Sequence, residues 1–161
     1  MKALIVYYSM SGNTEYAANE LARMLGADTL RIEPKKAYPS SGARKFLWGG
    51  KSAIMAEKPK LVPYTLHAED YDTVIFGSPV WASNVAPPLR TFMAENGEAL
   101  RGKRFAAFVC YLGGGGGKAL EKLTKLLGVE TLAAQAVLTE PLQNRQAAAE
   151  KLGAMCKALT E

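Results

Sequence analysis

Cysteine and histidine are scarce in this chain of 161 residues, which has 2 of the first and 1 of the second. Cys110 and Cys156 stand in no metal-ligand spacing and no disulfide framework, so both read as reduced thiols inside otherwise apolar segments. The single histidine, His67, stands just ahead of Glu69 and Asp70 and reads as a surface residue rather than a catalytic base. Long apolar runs are missing too. The N-terminal one breaks at Ser9 and Gly12, too short for a signal-peptide core or a membrane span, so a soluble cytoplasmic protein with no membrane partner is expected. There is no internal repeat. Charge is absent from particular places: residues 9–14 contain no Lys or Arg, and residues 78–84 and 111–117 contain no acid.

What is present suits a globular chain. A composition 48% hydrophobic over this length supports a core, and a single domain spanning 1–161 is the expectation. The net charge of +5 and the pI near 9.2 raise the question of a polyanionic partner. The charge is local. Residues 35–65 carry Lys35, Lys36, Arg44, Lys45, Lys51, Lys58 and Lys60 against Glu57 alone, while the rest of the chain is close to neutral. This argues for a basic excursion on a neutral body and against a nucleic-acid binder. Tyr38, Phe46, Trp48 and Tyr64 lie in the same stretch, and they read as aromatics that pack back on the domain rather than as a polyanion-binding surface.

Apolar runs of strand length alternate with helical stripes. "ALIVYY" (3–8) is apolar on both faces, as a parallel strand covered by helices must be. A helix from Thr14 follows, with Ala17, Ala18, Leu21, Met24 and Leu25 on one stripe and Gly26 ending it. "TLRIE" (29–33) is a short edge strand, and a weak helix is expected around 43–56. "TVIFGS" (73–78) is a third strand, ended by Pro79; Pro87 and Pro88 open a helix that turns Leu89, Phe92 and Met93 inward. "RFAAFVCYL" (104–112) is a fourth strand, followed by a helix from Lys118 to Leu127 built on Leu120, Leu123, Leu126 and Leu127. "TLAAQAVLT" (131–139) is the fifth strand, and the last helix, 143–159, rests on Ala147, Leu152, Met155, Cys156 and Leu159. Five β-α units with right-handed crossovers give an α/β, three-layer, doubly wound sandwich around a five-stranded parallel sheet of order 2-1-3-4-5.

In that fold the loops leaving the first, third and fourth strands meet. The first, "SMSGNT", places Ser9, Met10, Ser11, Gly12, Asn13 and Thr14 between a strand and a helix. Unpaired amides and the positive end of the helix dipole converge there, which favours an anion. Without a lysine it is not the loop of nucleoside triphosphatases, and a phosphate monoester held by neutral donors fits it. An ordinary helix cap is the competing reading, but a cap needs one polar residue and this loop has four. The second loop, "SPVWASN" (Ser78, Pro79, Val80, Trp81, Ala82, Ser83, Asn84), carries an indole that is either a lid on the core or a platform for a flat ring. The third joins Tyr111 to the glycine run 113–117; Gly113, Gly114, Gly115 and Gly116 either form a flexible link or let backbone amides approach a polar edge.

"YYSMSGNTEYAA", "DYDTVIFGSPVWASNVAPPLRTFM" and the glycine loop after "FAAFVCYL", in that order, resemble the flavodoxin family over nearly the whole chain, in its short form. The resemblance implies FMN as cofactor, its phosphate on Ser9 to Thr14. It implies that Pro79 to Asn84 line one side of the flavin, with Trp81 as the stacking partner. Tyr111 and Gly113 to Gly116 would meet the pyrimidine edge or the other face. It also implies electron transfer between redox protein partners, an acidic partner suiting the basic excursion. Two departures stand beside this. Electron-carrying flavodoxins place acids by the flavin, which this chain lacks, so a less negative two-electron potential is expected. The second loop, through Asn84 and Arg90-Thr91-Phe92, is also similar to flavodoxin-like NAD(P)H quinone reductases, which are often oligomeric. A flavin-free interaction module is the third reading.

Overall fold

The computed structural model describes residues 1–39 and 57–161. The expected helix at 43–56, and with it Phe46 and Trp48, lies outside the described residues. Five parallel strands form one sheet: β1 (Ala3–Tyr7), β2 (Asp28–Arg31), β3 (Thr73–Trp81), β5 (Arg104–Tyr111) and β6 (Gln135–Thr139), in the order β2-β1-β3-β5-β6. A two-residue strand, β4 (Asn84–Val85), pairs antiparallel with the end of β3. Leaving that hairpin aside, the order is the expected one.

Period-two alternation sorts the strand residues into two cores. Leu4, Val6, Phe76, Ala107 and Val109 face α2 (Pro87–Glu95) and α4 (Gly116–Leu127), packing with Leu89, Phe92, Leu120 and Leu123. Ile5, Tyr7, Ile75, Phe108 and Cys110 face α1 (Asn13–Leu25) and α5 (Arg145–Thr160), packing with Ala17, Leu21, Leu152 and Met155. The central strands β1, β3 and β5 are therefore apolar on both sides, because a helix layer covers each face. A short α3 (Gly97–Leu100) and a 3-10 turn at Ala68–Asp70 complete the described elements.

Several boundaries differ from the sequence expectation. Pro79 does not end β3, which runs on to Trp81 with Pro79 in register with Cys110. Gly77 gives its carbonyl to the Tyr8 amide (3.2 Å), and the Pro79 nitrogen two residues on faces the same side, where β1 has already ended. The missing N–H therefore costs no ladder bond. α4 starts at Gly116, two residues before Lys118, so two of the five glycines are helical. A Cβ on Gly116 would stand 2.5 Å from Val137 Cγ1, so the absent side chain serves helix-to-strand packing. Leu126 is on the outer face of α4 at 46% exposure. On α5 the buried alanine is Ala148 while Ala147 is exposed, which moves the stripe by one residue. β2 ends at Arg31, in register with Tyr7 at the end of β1, and β6 starts only at Gln135, in register with Ala107.

The basic excursion is tied at its base. Pro34 and Leu61 form an antiparallel bridge, flanked by Lys35 N to Lys60 O (2.8 Å) and Val62 N to Glu33 O (2.8 Å). Of its aromatics, Tyr38 packs on Tyr8 and Trp81, and Tyr64 on Phe92, as expected of residues that return to the domain. Cys110 is buried and Cys156 half-buried, neither in a disulfide.

Candidate functional site

The carboxyl ends of β1, β3 and β5 open into a cavity of about 410 Å³. It stands where strand order reverses, since the chain leaves β1 to one side for β2 and returns on the other for β3. All three loops contribute to its lining: Met10, Ser11, Asn13 and Thr14 from the first, Pro79, Val80, Trp81 and Ala82 from the second, Tyr111, Gly113 and Gly114 from the third. Cys110 and Leu112 line it as well, and sequence reasoning missed both. The apolar segment around Cys110 points to the core, whereas the residue sits on the core and on the cavity at once. Among the described residues no lining side chain carries a charge.

The first loop owes its shape to Gly12, whose φ of 93° lies in the left-handed region and turns the chain into α1. Ser9 is buried and does not reach the cavity; its Oγ accepts the Gly12 amide (3.2 Å) and so braces the turn. No side chain caps α1, which leaves its first amides without an intrahelical or side-chain acceptor. Asn13 is already engaged: its Oδ1 accepts from the Leu142 amide (3.1 Å) and its Nδ2 donates to Ser11 Oγ (3.4 Å). Thr14 is 1% exposed, on the inner wall beside Cys110. Burial pushes the Cys110 thiol up to about 12, against the opposing effect of the hydrogen bond with Thr14, so it stands neutral.

Arg31 joins this region without any motif to announce it. Pairing of Tyr7 with Arg31 brings it behind the loop, where Nη2 donates to the Ser9 carbonyl (3.2 Å). Glu15 (2.9 Å) and Glu33 hold the same guanidinium, keep it charged and neutralise it. Its signal in the sequence is only the register of an edge strand.

The second loop is a tight hairpin. Trp81 pairs with Asn84, and the two residues between them, Ala82 and Ser83, have φ of 49° and 59°. Positive φ at both central positions is the primed turn that suits strand twist, but without glycine it carries strain. Side chains hold it. Ser78, Ser83 and Asn84 do not line the cavity: Ser78 Oγ accepts the Ala86 amide (2.8 Å) and donates to the Pro79 carbonyl (2.7 Å), and Asn84 Nδ2 donates to the Ala82 carbonyl (2.7 Å). Trp81 is clasped edge-on by Tyr8 (5.8 Å) and Tyr38 (5.2 Å). Burial pushes the Tyr8 phenol well above its ordinary range, so this clasp is uncharged. Gly115 and Gly116 also lie off the cavity. A Cβ on Gly115 would be 2.5 Å from Ser83 Oγ, so the third loop is pressed against the second.

The arrangement can hold a ligand with an anionic head and a flat apolar body. The volume is within the range of small-molecule sites. Uncapped amides with the Ser11 and Thr14 hydroxyls suit a phosphate, and the indole and phenol rings of Trp81 and Tyr111 suit an aromatic ring system. The donor set therefore fits FMN. Among the described residues no group of His, Cys, Asp and Glu could hold a metal, and no helix is long and apolar enough to cross a membrane.

Comparison with known proteins agrees with this geometry. A flavoprotein of Lactobacillus acidophilus solved in complex with FMN is 18% identical, with a TM-score of 0.72 over 90% of this chain and 97% of that one. A candidate flavoprotein of Bacteroides eggerthii is 22% identical, with a TM-score of 0.73 over 96% and 97%. Oxidised Flavodoxin 1 of Bacillus cereus is 21% identical, with a TM-score of 0.58 over 98% of each chain. The family model described as Flavodoxin matches residues 2–153. With the match spanning nearly the whole chain and the strand order and switch-point cavity in accord, this protein belongs to the flavodoxin family.

Proposed function

We propose that this protein binds FMN in the cavity between the three loops and passes electrons between redox protein partners. The observation that carries the reading is a cavity at the switch point with uncapped helix amides and hydroxyls at one loop and aromatic side chains at the other two. Bound FMN supplies the redox chemistry, and the chain supplies position and electrostatics. Ser11, Thr14 and the first amides of α1 hold the phosphate; Trp81, fixed by Tyr8 and Tyr38, presents a ring to the flavin. Among the described residues the lining includes no His, Asp, Glu or Lys, so they offer no ordinary proton donor or base there, which suits electron transfer more than acid–base catalysis. Leu112, 56% exposed at the cavity wall, suits contact with a partner protein. Affinity of the basic residues around 35–60 for an acidic partner is part of the same reading.

A second reading, NAD(P)H-dependent reduction of a quinone or related acceptor, is favoured by one observation: among the described residues no acid lines the cavity. A nearby carboxylate at ~4 Å would disfavour an anionic reduced flavin by roughly 4 kcal/mol before solvent screening. Titrating the purified protein with FMN and recording its visible spectrum tests the binding; an unperturbed spectrum refutes it. Steady-state NAD(P)H oxidation with a quinone then separates the readings, and rapid turnover would replace the carrier with the reductase.

A further inference from the structure

At the hairpin, on residues that do not line the cavity, two cations share one neutral oxygen. Arg90, on α2, donates from Nη2 to Asn84 Oδ1 at 3.1 Å, and Lys122, on α4, donates from Nζ to the same atom at 3.1 Å. The amide cannot be turned the other way, because its Nδ2 donates to the Ala82 carbonyl. Among the described residues neither cation has a carboxylate within salt-bridge distance. Arg90 Nε–H is also buried without an acceptor, so the guanidinium depends on its outer nitrogens for compensation.

A guanidinium has five N–H donors and an ammonium three, and Asn84 takes one from each. What remains is the outer edge of a partly buried guanidinium beside a point charge, the Lys122 side of the contact being exposed. Lys118, exposed one turn earlier on α4, adds to the field at i, i+4. Two cations call for a dianion, which a phosphoryl group supplies on three oxygens, whereas a lone carboxylate brings one negative charge on two. We propose that Arg90 and Lys122, converging on Asn84, form a receptor for a phosphoryl group, separate from the cavity and adjoining the hairpin that walls it. The group is either free in solution or carried by a nucleotide.

The site stands without the FMN reading and is tested apart from it. The isotope-labelled full chain is titrated with pyrophosphate, ADP and acetate while the Arg90 Nε–H and the amides of residues 9–14 are followed by NMR. Pyrophosphate and ADP should move the Arg90 signal. Acetate should bind at least ~10-fold more weakly, and Lys122→Gln or Arg90→Lys should weaken pyrophosphate by at least ~10-fold. Tighter binding of ADP than of pyrophosphate marks a nucleotide as the source, and equal binding marks the free ion; both support the site. Perturbation confined to residues 9–14, equal binding of acetate, or unchanged affinity in Lys122→Gln overturns it. Because Lys122 is exposed, that variant keeps the test decisive even if Arg90→Lys fails to fold.

Discussion

Gly115→Ala is a direct probe of whether the second and third loops close on each other. The added Cβ meets two obstacles. Gly115 has φ of 84°, where an L-residue costs about 1–2 kcal/mol. The Cβ would also lie 2.5 Å from Ser83 Oγ and 3.2 Å from both Ser83 Cα and Cβ. The hydroxyl can rotate away, but the two carbon contacts cannot be relieved without parting the loops by a few tenths of an ångström, at the lower end of overpacking costs of ~1–3 kcal/mol. Together these predict a loss of about 2–3 kcal/mol, hence a melting temperature lower by roughly 4–12 °C for a chain of this size. Ser83→Gly removes two of the three opposing atoms and accepts its own positive φ freely, so alone it should be near neutral. In the double variant the φ cost of the side chain added at position 115 and its contact with the Cα of residue 83 should remain, giving a coupling of about 0.5–1 kcal/mol from the two atoms removed. Thermal melts of the four proteins measure it. Additive effects, or an unchanged melting temperature in Gly115→Ala, would show that the loops do not touch.

Thr14→Val keeps the volume of a buried residue and removes only its hydroxyl, so FMN should bind about 10- to 150-fold more weakly, the value of one hydrogen bond to a charged group. Riboflavin, which lacks the phosphate, should bind both forms equally in the same fluorescence titration, and an equal loss for both ligands would contradict the placement. Trp81→Ala should weaken FMN by roughly 1–3 kcal/mol through lost stacking, with Trp81→Phe retaining most of it, and undiminished affinity would remove Trp81 from the site. The Cys110 thiol, raised from 9.0 to about 12, keeps its proton in the folded state where the unfolded chain loses it. Its contribution is complete below about pH 9 and lost as pH rises toward 12, so stability from denaturant titrations across that window should fall less steeply in Cys110→Ala, and iodoacetamide at pH 8 should modify Cys156 first.

The sequence by itself determined the layers, the sheet order and the three loops that meet. Runs such as "ALIVYY" and "TVIFGS" are apolar on both faces, helical stripes lie between them, and these short-range patterns leave few topologies open. The cluster Ser11, Asn13 and Thr14 was legible because polar residues between strand and helix have a mechanism attached to that position. Only the tertiary structure decided which of those residues face the cavity and which brace it. Ser9, Ser78 and Asn84 hold loops, because their hydrogen-bond partners are set by chain folding at Gly12, Ala86 and Ala82. The same holds for contacts between distant segments. Tyr38 reaches Trp81, Arg31 reaches Ser9 and Lys122 reaches Asn84 through strand register and helix placement, and no local pattern encodes separations of that size. Local propensity fixes where elements start and what face they bury; the meeting of side chains from different elements depends on three-dimensional packing, which appears only when the layers close.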